Sequence, residues 1–403
     1  MDNVRIGLVG SGFMARAHTM AFNNAPSVYW PDLPALEKVR LADVDEQLAR
    51  SAAVRWGWAE ATADWRRVTQ ADDVDLVDVV TPNDIHAEIA IDAARHGKHV
   101  LCEKPLAHTA AAAAEMYRAV VEAGVTHQVN FIYRKWPAAM LARQLVADGR
   151  LGRIMHFRAH FLQDYALDAS MPRGWRMQRS RSGGGSFGDV GSHVVDLARY
   201  LVGEEIVRVN ARARTFIAER PAAVAAGEAA FAAGGSGGAG ELVPVDVDDA
   251  ADVLFDFASG AIGVLQTNWV ASGHKIDLAF EIGGERGSVR FSWQHGNELE
   301  LYLRDDDPAL QGYRTVVTGP LHPGGGEFWP VAGQGLGYGD AFLIAWRDLF
   351  GALRDGTPAT PDFLDGLRAC EVVEAALASA EDGGWVEVPR YELAAAAASG
   401  ATP

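Results

Sequence analysis

The chain has 403 residues, 49% of them hydrophobic, and a formal charge of −17 from 36 basic and 53 acidic side chains. That length accommodates two domains with a sizeable core. The acidic balance argues against nucleic acid or an anionic membrane as a partner, because no basic footprint exists to displace counterions.

Residues 1–126 alternate strand and helix. Val4–Val9 reads as a strand ending at Gly10, and Met14–Ala25 as the helix after it. The same alternation continues through a strand at Val39–Asp43, a helix at Glu46–Trp56 and a strand at Val74–Val80. A helix at Ile85–His96 carries Ile85, Ile89 and Ala93 on one face. Lys98–Cys102 is a fourth strand, Ala107–Ala123 a helix and Thr126–Asn130 a fifth strand. This order predicts a doubly wound parallel sheet of the Rossmann type.

Residues 127–393 change character. A helix at Pro137–Asp148 leads to a strand at Ile154–Phe161, and a helix near Asp189–Leu201 follows the glycine run Gly183–Gly185. Strands with period-2 alternation follow at Val207–Thr215, Asp252–Phe257, Ala261–Trp269, Asp277–Ile282, Ser288–Trp293 and Glu298–Leu303. Strands in series without helices predict an α+β domain with a large open, mainly antiparallel sheet. An Ala/Gly-rich stretch at about 222–243 reads as a mobile insertion, and 394–403 as a frayed tail. Two cysteines, Cys102 and Cys370, belong to no CxxC or Cys/His cluster. Neither a disulfide framework nor a metal site is expected, and a reducing cytoplasm is the simplest home. The N-terminus MDNVRIGLVG has no basic leader, and no apolar run reaches the roughly 18 residues of a membrane span.

Gly10-Ser11-Gly12-Phe13-Met14-Ala15 follows a strand and opens a helix. Gly10 permits the tight turn, Gly12 lets backbone approach a pyrophosphate, and Ala15 allows close helix–strand packing. Asp43, at the end of the second strand, is placed to bind the adenosine ribose hydroxyls; its rival is Asp45, and its plain alternative is a helix cap. A carboxylate there repels a 2′-phosphate, which favours NAD over NADP. Pro26, Pro31 and Pro34 mark an inserted loop before that strand. Thr81-Pro82-Asn83-Asp84-Ile85-His86 follows the third strand, whose C-terminal end faces the ligand crevice. Asn83 could meet the cofactor or cap the following helix; His86 could join that wall or be structural.

Glu103-Lys104-Pro105 ends the fourth strand at the same crevice. A lone ammonium in a core costs several kcal/mol, so Lys104 reads either as a surface-turn residue or as a group held for chemistry. Asp189 and His193 stand at i, i+4 and share a helix face. A carboxylate beside an imidazole would orient it; the alternative is an ordinary amphipathic helix.

Together the glycine turn, TPNDIH, EKP and Gly183-Gly184-Gly185 with Asp189 and His193 resemble the glucose–fructose oxidoreductase/inositol dehydrogenase (Gfo/Idh/MocA) family, over essentially the whole chain. Stretches such as FMARAH, FLQDY, WRMQRS and PVDVDD look like its sugar 3-dehydrogenases of the levoglucosan dehydrogenase kind. The resemblance implies a Rossmann domain holding NAD at Gly10, Gly12, Phe13, Met14, Ala15, Asp43, Thr81, Pro82, Asn83, His86, Glu103 and Lys104. Trp175 and Arg176 would lean toward the cofactor from the second domain. It implies Lys104, Asp189 and His193 as the proton-handling group, a commonly cis Lys104–Pro105 peptide, and Tyr133, Gln163 and Asp164 toward a sugar. The implied reaction moves hydride from a secondary hydroxyl, at C3 of a pyranose, anhydrosugar or glycoside, to NAD, with Lys104 or His193 as base. Other readings are an inositol or polyol dehydrogenase, a redox-neutral glycosidase or lyase, and a non-catalytic nucleotide sensor. Family sheets pair face to face, so a homo-oligomer, tetramer or dimer, is implied. Phe255, Phe257, Trp269, Phe280, Phe291 and Trp293 would form that interface or else the sheet's own core.

Overall fold

A computed structural model describes residues 3–222 and 240–391. The first sheet contains β1 (Asn3–Val9), β2 (Ala35–Ala42), β3 (Glu60–Thr62), β4 (Leu76–Val79), β5 (His99–Cys102) and β6 (His127–Val129). They are parallel, in the order 3-2-1-4-5-6 of a dinucleotide-binding fold. The connecting helices are α1 (Phe13–Val28), α2 (Glu46–Trp56), the short α3 (Arg66–Thr69), α4 (His86–Arg95) and α5 (Ala110–Ala123). The sequence reading lacked β3, which has only three residues and no period to betray it. The expected inserted loop is shorter than predicted, because α1 runs through Pro26 to Val28.

After α6 (Pro137–Ala147), β7 (Ile154–Leu162) enters a second sheet. Next come the four-residue α7 (Arg179–Ser182), α8 (Ser192–Val202) and β8 (Ile206–Arg214). β9 (Glu219–Pro221) and β10 (Leu242–Pro244) pair as a separate two-stranded ribbon. The rest of the sheet is β11 (Ala250–Phe257), β12 (Ile262–Asn268), β13 (Asp277–Gly284), β14 (Gly287–Ser292), β15 (Glu298–Leu303) and β16 (Arg314–Val317). After α9 (Tyr338–Asp355) and α10 (Phe363–Asp382), β17 (Val386–Glu387) closes its far edge. The nine-stranded order is 16-15-14-13-7-12-11-8-17, antiparallel except for the β7–β12 pair. Most of the stretch read as a mobile insertion, and the tail, lie outside the described residues; the end of that stretch is β10.

One face of this sheet carries the core. In β11, Ala251, Val253, Phe255 and Phe257 are buried while Asp252 and Leu254 are exposed, the alternation of a sheet covered on one side. Phe255, Phe257, Trp269, Phe280 and Phe291 are all buried within the chain. The interface reading of these five aromatics therefore gives way to the core reading, because they are buried within a single chain; Trp293 is partly buried against the same core. α8 and α10 supply the cover, packing on β7 and β8 respectively.

The sequence reading also lacked α9 and α10. Both carry stop and start signals. Asp340 accepts the Gly337 N–H at the start of α9, Asp362 and Asp365 bond each other's N–H groups at the start of α10, and Gly356 and Gly383 end the helices at positive φ. α9 packs on α1, and α10 on α5, so the end of the chain returns to the first domain.

Candidate active site

The glycine turn is shaped by its neighbours. Gly10 has φ +112, and a Cβ there would lie 2.8 Å from the Val80 carbonyl oxygen. At Gly12 no atom lies within 4 Å of where a Cβ would stand, so the backbone is open to approach. The turn feeds a 16-residue helix whose first N–H groups are available to an anion. Ala15 is fully buried, Met14 packs on the core, and Phe13 is exposed with Arg16 over its ring. Asp43 accepts from Ser11 N (2.9 Å) and Ser11 Oγ (2.6 Å), which ties the end of β2 to the glycine turn. Its rival Asp45 is the helix cap, accepting from Gln47 N and Leu48 N. These residues fit a dinucleotide.

Three expected cofactor residues make hydrogen bonds within the chain. Asn83 is buried and donates to the Ser182 carbonyl (3.0 Å). His86 is buried, with Nε2 at 2.8 Å from the carbonyl of Thr81 and Nδ1 at 3.2 Å from those of Pro105 and Leu106. It latches the Thr81-Pro82 turn to the EKP turn, and burial pushes its pKa down. Glu103 is buried and accepts from His18, from Asn130 and from its neighbour Lys104 N. A buried carboxylate needs donors, and these supply them.

Lys104 begins a cis Lys104–Pro105 peptide. Its Nζ donates to Asp189 Oδ1 (2.8 Å) and to the Asp189 carbonyl (3.1 Å). One group comes from the end of β5 and the other from the glycine-run segment of the second domain. Close backbone approaches explain the glycines, one across the domains and one within the second. A Cβ on Gly183 would lie 2.0 Å from the His108 carbonyl oxygen, and one on Gly185 would lie 1.9 Å from that of Asp248. The Asp248 carboxylate clamps the same turn, accepting from Gly185 N, Phe187 N and Ser186 Oγ. Sequence reasoning missed Asp248 because it lies in another segment, within the quoted PVDVDD.

Asp189 does not orient His193 as expected. The turn Phe187–Gly191 is π-helical, which breaks the α-helical i, i+4 stacking, and the carboxylate goes to the cations. Arg176 Nε lies 3.7 Å from Asp189 Oδ2, and its guanidinium stacks on Trp175 at 4.3 Å. Arg176 therefore stands beside Lys104 and Asp189. Burial raises the Asp189 pKa, but Lys104 and Arg176 outweigh it and the net shift is downward. His193 sits in an aromatic box, edge-on to Tyr133 (4.7 Å between centroids) and near Phe131 and Phe161. Among the described residues its buried Nδ1 has no hydrogen-bond partner. Burial, then the Lys104 charge, pushes its pKa well below the ordinary histidine value, so the imidazole is neutral at pH 7.

Tyr133 also meets Trp293 at 5.1 Å, placing it in the same wall. Among the described residues Gln163 makes only backbone bonds, to Asn268 and Ala271. Asp164 is held by Lys275 (2.7 Å) and Gly273 N, which occupies the carboxylate expected to face a sugar. Tyr338, the first residue of α9, is a wall residue the sequence did not single out: burial and the Glu103 and Asp189 carboxylates push its hydroxyl pKa up, and Trp293 lies beside it.

The family model described as an oxidoreductase with NAD-binding Rossmann fold matches residues 4–131, and that of the GFO/IDH/MocA C-terminal domain matches 140–290. A levoglucosan dehydrogenase of Pseudarthrobacter phenanthrenivorans is 42% identical over 97% of this chain and 99% of its own. An inositol 2-dehydrogenase of Rhizobium meliloti is 27% identical over 93% of this chain and 96% of its own. The solved structure of a levoglucosan dehydrogenase in complex with NADH and levoglucosan has a TM-score of 0.90 and 40% identity, covering 96% of this chain and 100% of that one. The chain belongs to the GFO/IDH/MocA oxidoreductase family, with an NAD-binding Rossmann fold as its first domain.

Proposed function

We propose that the chain oxidises a secondary hydroxyl, at C3, of levoglucosan or a related anhydrosugar, pyranose or glycoside, with NAD as oxidant. Residues 1–126 hold the cofactor and 127–393 the sugar. The carrying observation is the meeting of Lys104 and Asp189 beside the neutral imidazole of His193. The glycine turn, Asp43 and the Thr81-Pro82 segment hold NAD, which when bound accepts the hydride.

The residues of the chain handle the proton. An ammonium has three N–H donors. Asp189 takes two of those on Lys104, leaving one for the reacting oxygen. As the C–H bond breaks, that donor stabilises charge developing on the oxygen. His193 accepts the hydroxyl proton; it is the base rather than Lys104, because it is unprotonated and Lys104 is paired with a carboxylate. Tyr133, edge-on to the ring, keeps it in register.

The enzyme works in the cytoplasm as a homo-oligomer, a tetramer or dimer. Support comes from two buried free cysteines and from the uncovered sheet face, where Leu254 and Ile262 are 51% and 60% exposed. None of the described helices is long and apolar enough to cross a membrane. The test incubates purified protein with NAD and levoglucosan, methyl glucosides or myo-inositol, follows NADH and locates the new carbonyl by NMR. NADH with the 3-keto product is expected from levoglucosan. No NADH from any of these sugars, or a carbonyl at another carbon, overturns the proposal.

A further inference from the structure

Behind Lys104 lies a cluster that the chemistry above does not use. His18, in the second turn of α1, is fully buried. Its Nδ1 faces both oxygens of Asp78 on β4 (2.9 and 3.1 Å), and its Nε2 faces Glu103 Oε1 (3.0 Å). Asn130, just after β6, donates to the same Glu103 oxygen. Glu103 Oε2 accepts the backbone N–H of Lys104 (3.0 Å). Phe342 and Trp346 of α9 close over the imidazole at 5.4 and 4.9 Å.

With a carboxylate against each ring nitrogen, the imidazole carries two N–H groups and a positive charge. Burial opposes that charge, but Asp78 and Glu103 overcome it and lift the pKa to about 9. Such a triad is a poor way to hold a core, since an apolar replacement of similar shape is often as stable. What it does supply is direction. It joins the nucleotide-binding helix, a central strand and the EKP turn through bonds of fixed geometry, and it ends on the residue beside Lys104.

We infer that His18, braced by Asp78, is a positioning residue for the reaction: it fixes Glu103, which seats the Lys104 backbone and aims its ammonium at Asp189 and the reacting oxygen. The inference rests on the reading of Lys104 given above. Removing the brace leaves Lys104 present but loosely aimed, and a misplacement of about 1 Å at a reacting group costs on the order of 100-fold.

The test measures single-turnover NADH formation from NAD and levoglucosan in the full-length enzyme, normalised to NADH-binding sites titrated by fluorescence. Normalisation removes any loss of folded protein. His18→Leu is expected to slow the step by about 100-fold and Asp78→Asn, which keeps an acceptor for Nδ1, by about tenfold, with NADH Kd and sugar KM within about threefold of wild type. If His18→Leu does not fold, Asp78→Asn decides. Normalised rates within twofold of wild type overturn the inference, as does a rate loss matched by an equal loss of NADH affinity, which would make the triad a brace for the nucleotide turn. Lys104→Ala is run in parallel. Full turnover in that variant defeats the reading of Lys104 itself; turnover lost there but kept in the His18 and Asp78 variants defeats the positioning role alone.

Discussion

Replacing Gly183 with alanine tests the contact that brings the two halves of the site together. The new Cβ would stand 2.0 Å from the His108 carbonyl oxygen, more than 1 Å short of ordinary contact, on a backbone with φ +84. Left-handed backbone costs a non-glycine residue about 1–2 kcal/mol, and forcing an extra carbon into a packed site costs about 1–3 kcal/mol. The relief available is to part the 104–108 segment from the 183–189 segment. That motion separates Lys104 Nζ from Asp189, whose bond is 2.8 Å long. We expect Gly183→Ala to lower stability by roughly 2–5 kcal/mol and kcat by about 100-fold. NADH affinity should change little, because the Gly10–Gly12 turn belongs to a different contact. Denaturant unfolding, NADH titration and steady-state kinetics measure the three quantities. A variant as stable as wild type with turnover within twofold would refute the packing argument.

Three further outcomes follow from named groups. The depressed pKa of His193 keeps its imidazole unprotonated as pH falls, so with the proposed role as base the acid limb of kcat/KM should lie below pH 6.5; half-maximal activity at or above 6.5 would contradict it. His18 is raised from 6.5 to about 9 on folding, so its stabilisation is complete below pH 6.5 and is lost as pH climbs through 9. The shift corresponds to ~3 kcal/mol, and denaturant melts of wild type and Asp78→Asn should show the alkaline decline shrinking in the variant. Arg134 is buried and bonds both Asp196 and Asp365. Arg134→Met strands the buried Asp196 carboxylate, while Asp365 keeps Arg199 and the Asp362 N–H, and should cost about 3–5 kcal/mol in the same melts.

Much of the first domain was legible because its signals are local. A strand, a glycine turn and a helix in register announce themselves, and so does a lysine at a strand end. What was illegible depends on chain segments far apart in sequence. The place of Asp43 at the end of the second strand is local, but its bond to Ser11 is not, and the sequence alone leaves open which of Asp43 and Asp45 caps the helix. Nothing local distinguishes Gly183 from a flexible hinge, whereas the fold gives it a carbonyl to avoid. The i, i+4 spacing of Asp189 and His193 suggested mutual contact. A π turn and two nearby cations redirected the aspartate, and neither is visible in the spacing. Glu103 and His86 read as crevice residues because their neighbours are; the partners that burial gives them are not visible in that spacing. The α9 and α10 segments carry caps and periodic apolar residues, local signals of the same kind as those of the first domain.

The return of α9 to α1 bears on how this enzyme could be re-engineered. Trp346 stacks on Phe22 at 5.3 Å and Phe350 meets the same ring. The nucleotide half thus completes its hydrophobic wall with residues translated more than three hundred positions later. A transplant of the first 126 residues alone would leave that wall open to water. Altering coenzyme choice is therefore a task for substitutions within the intact chain, not for exchanging whole halves between relatives.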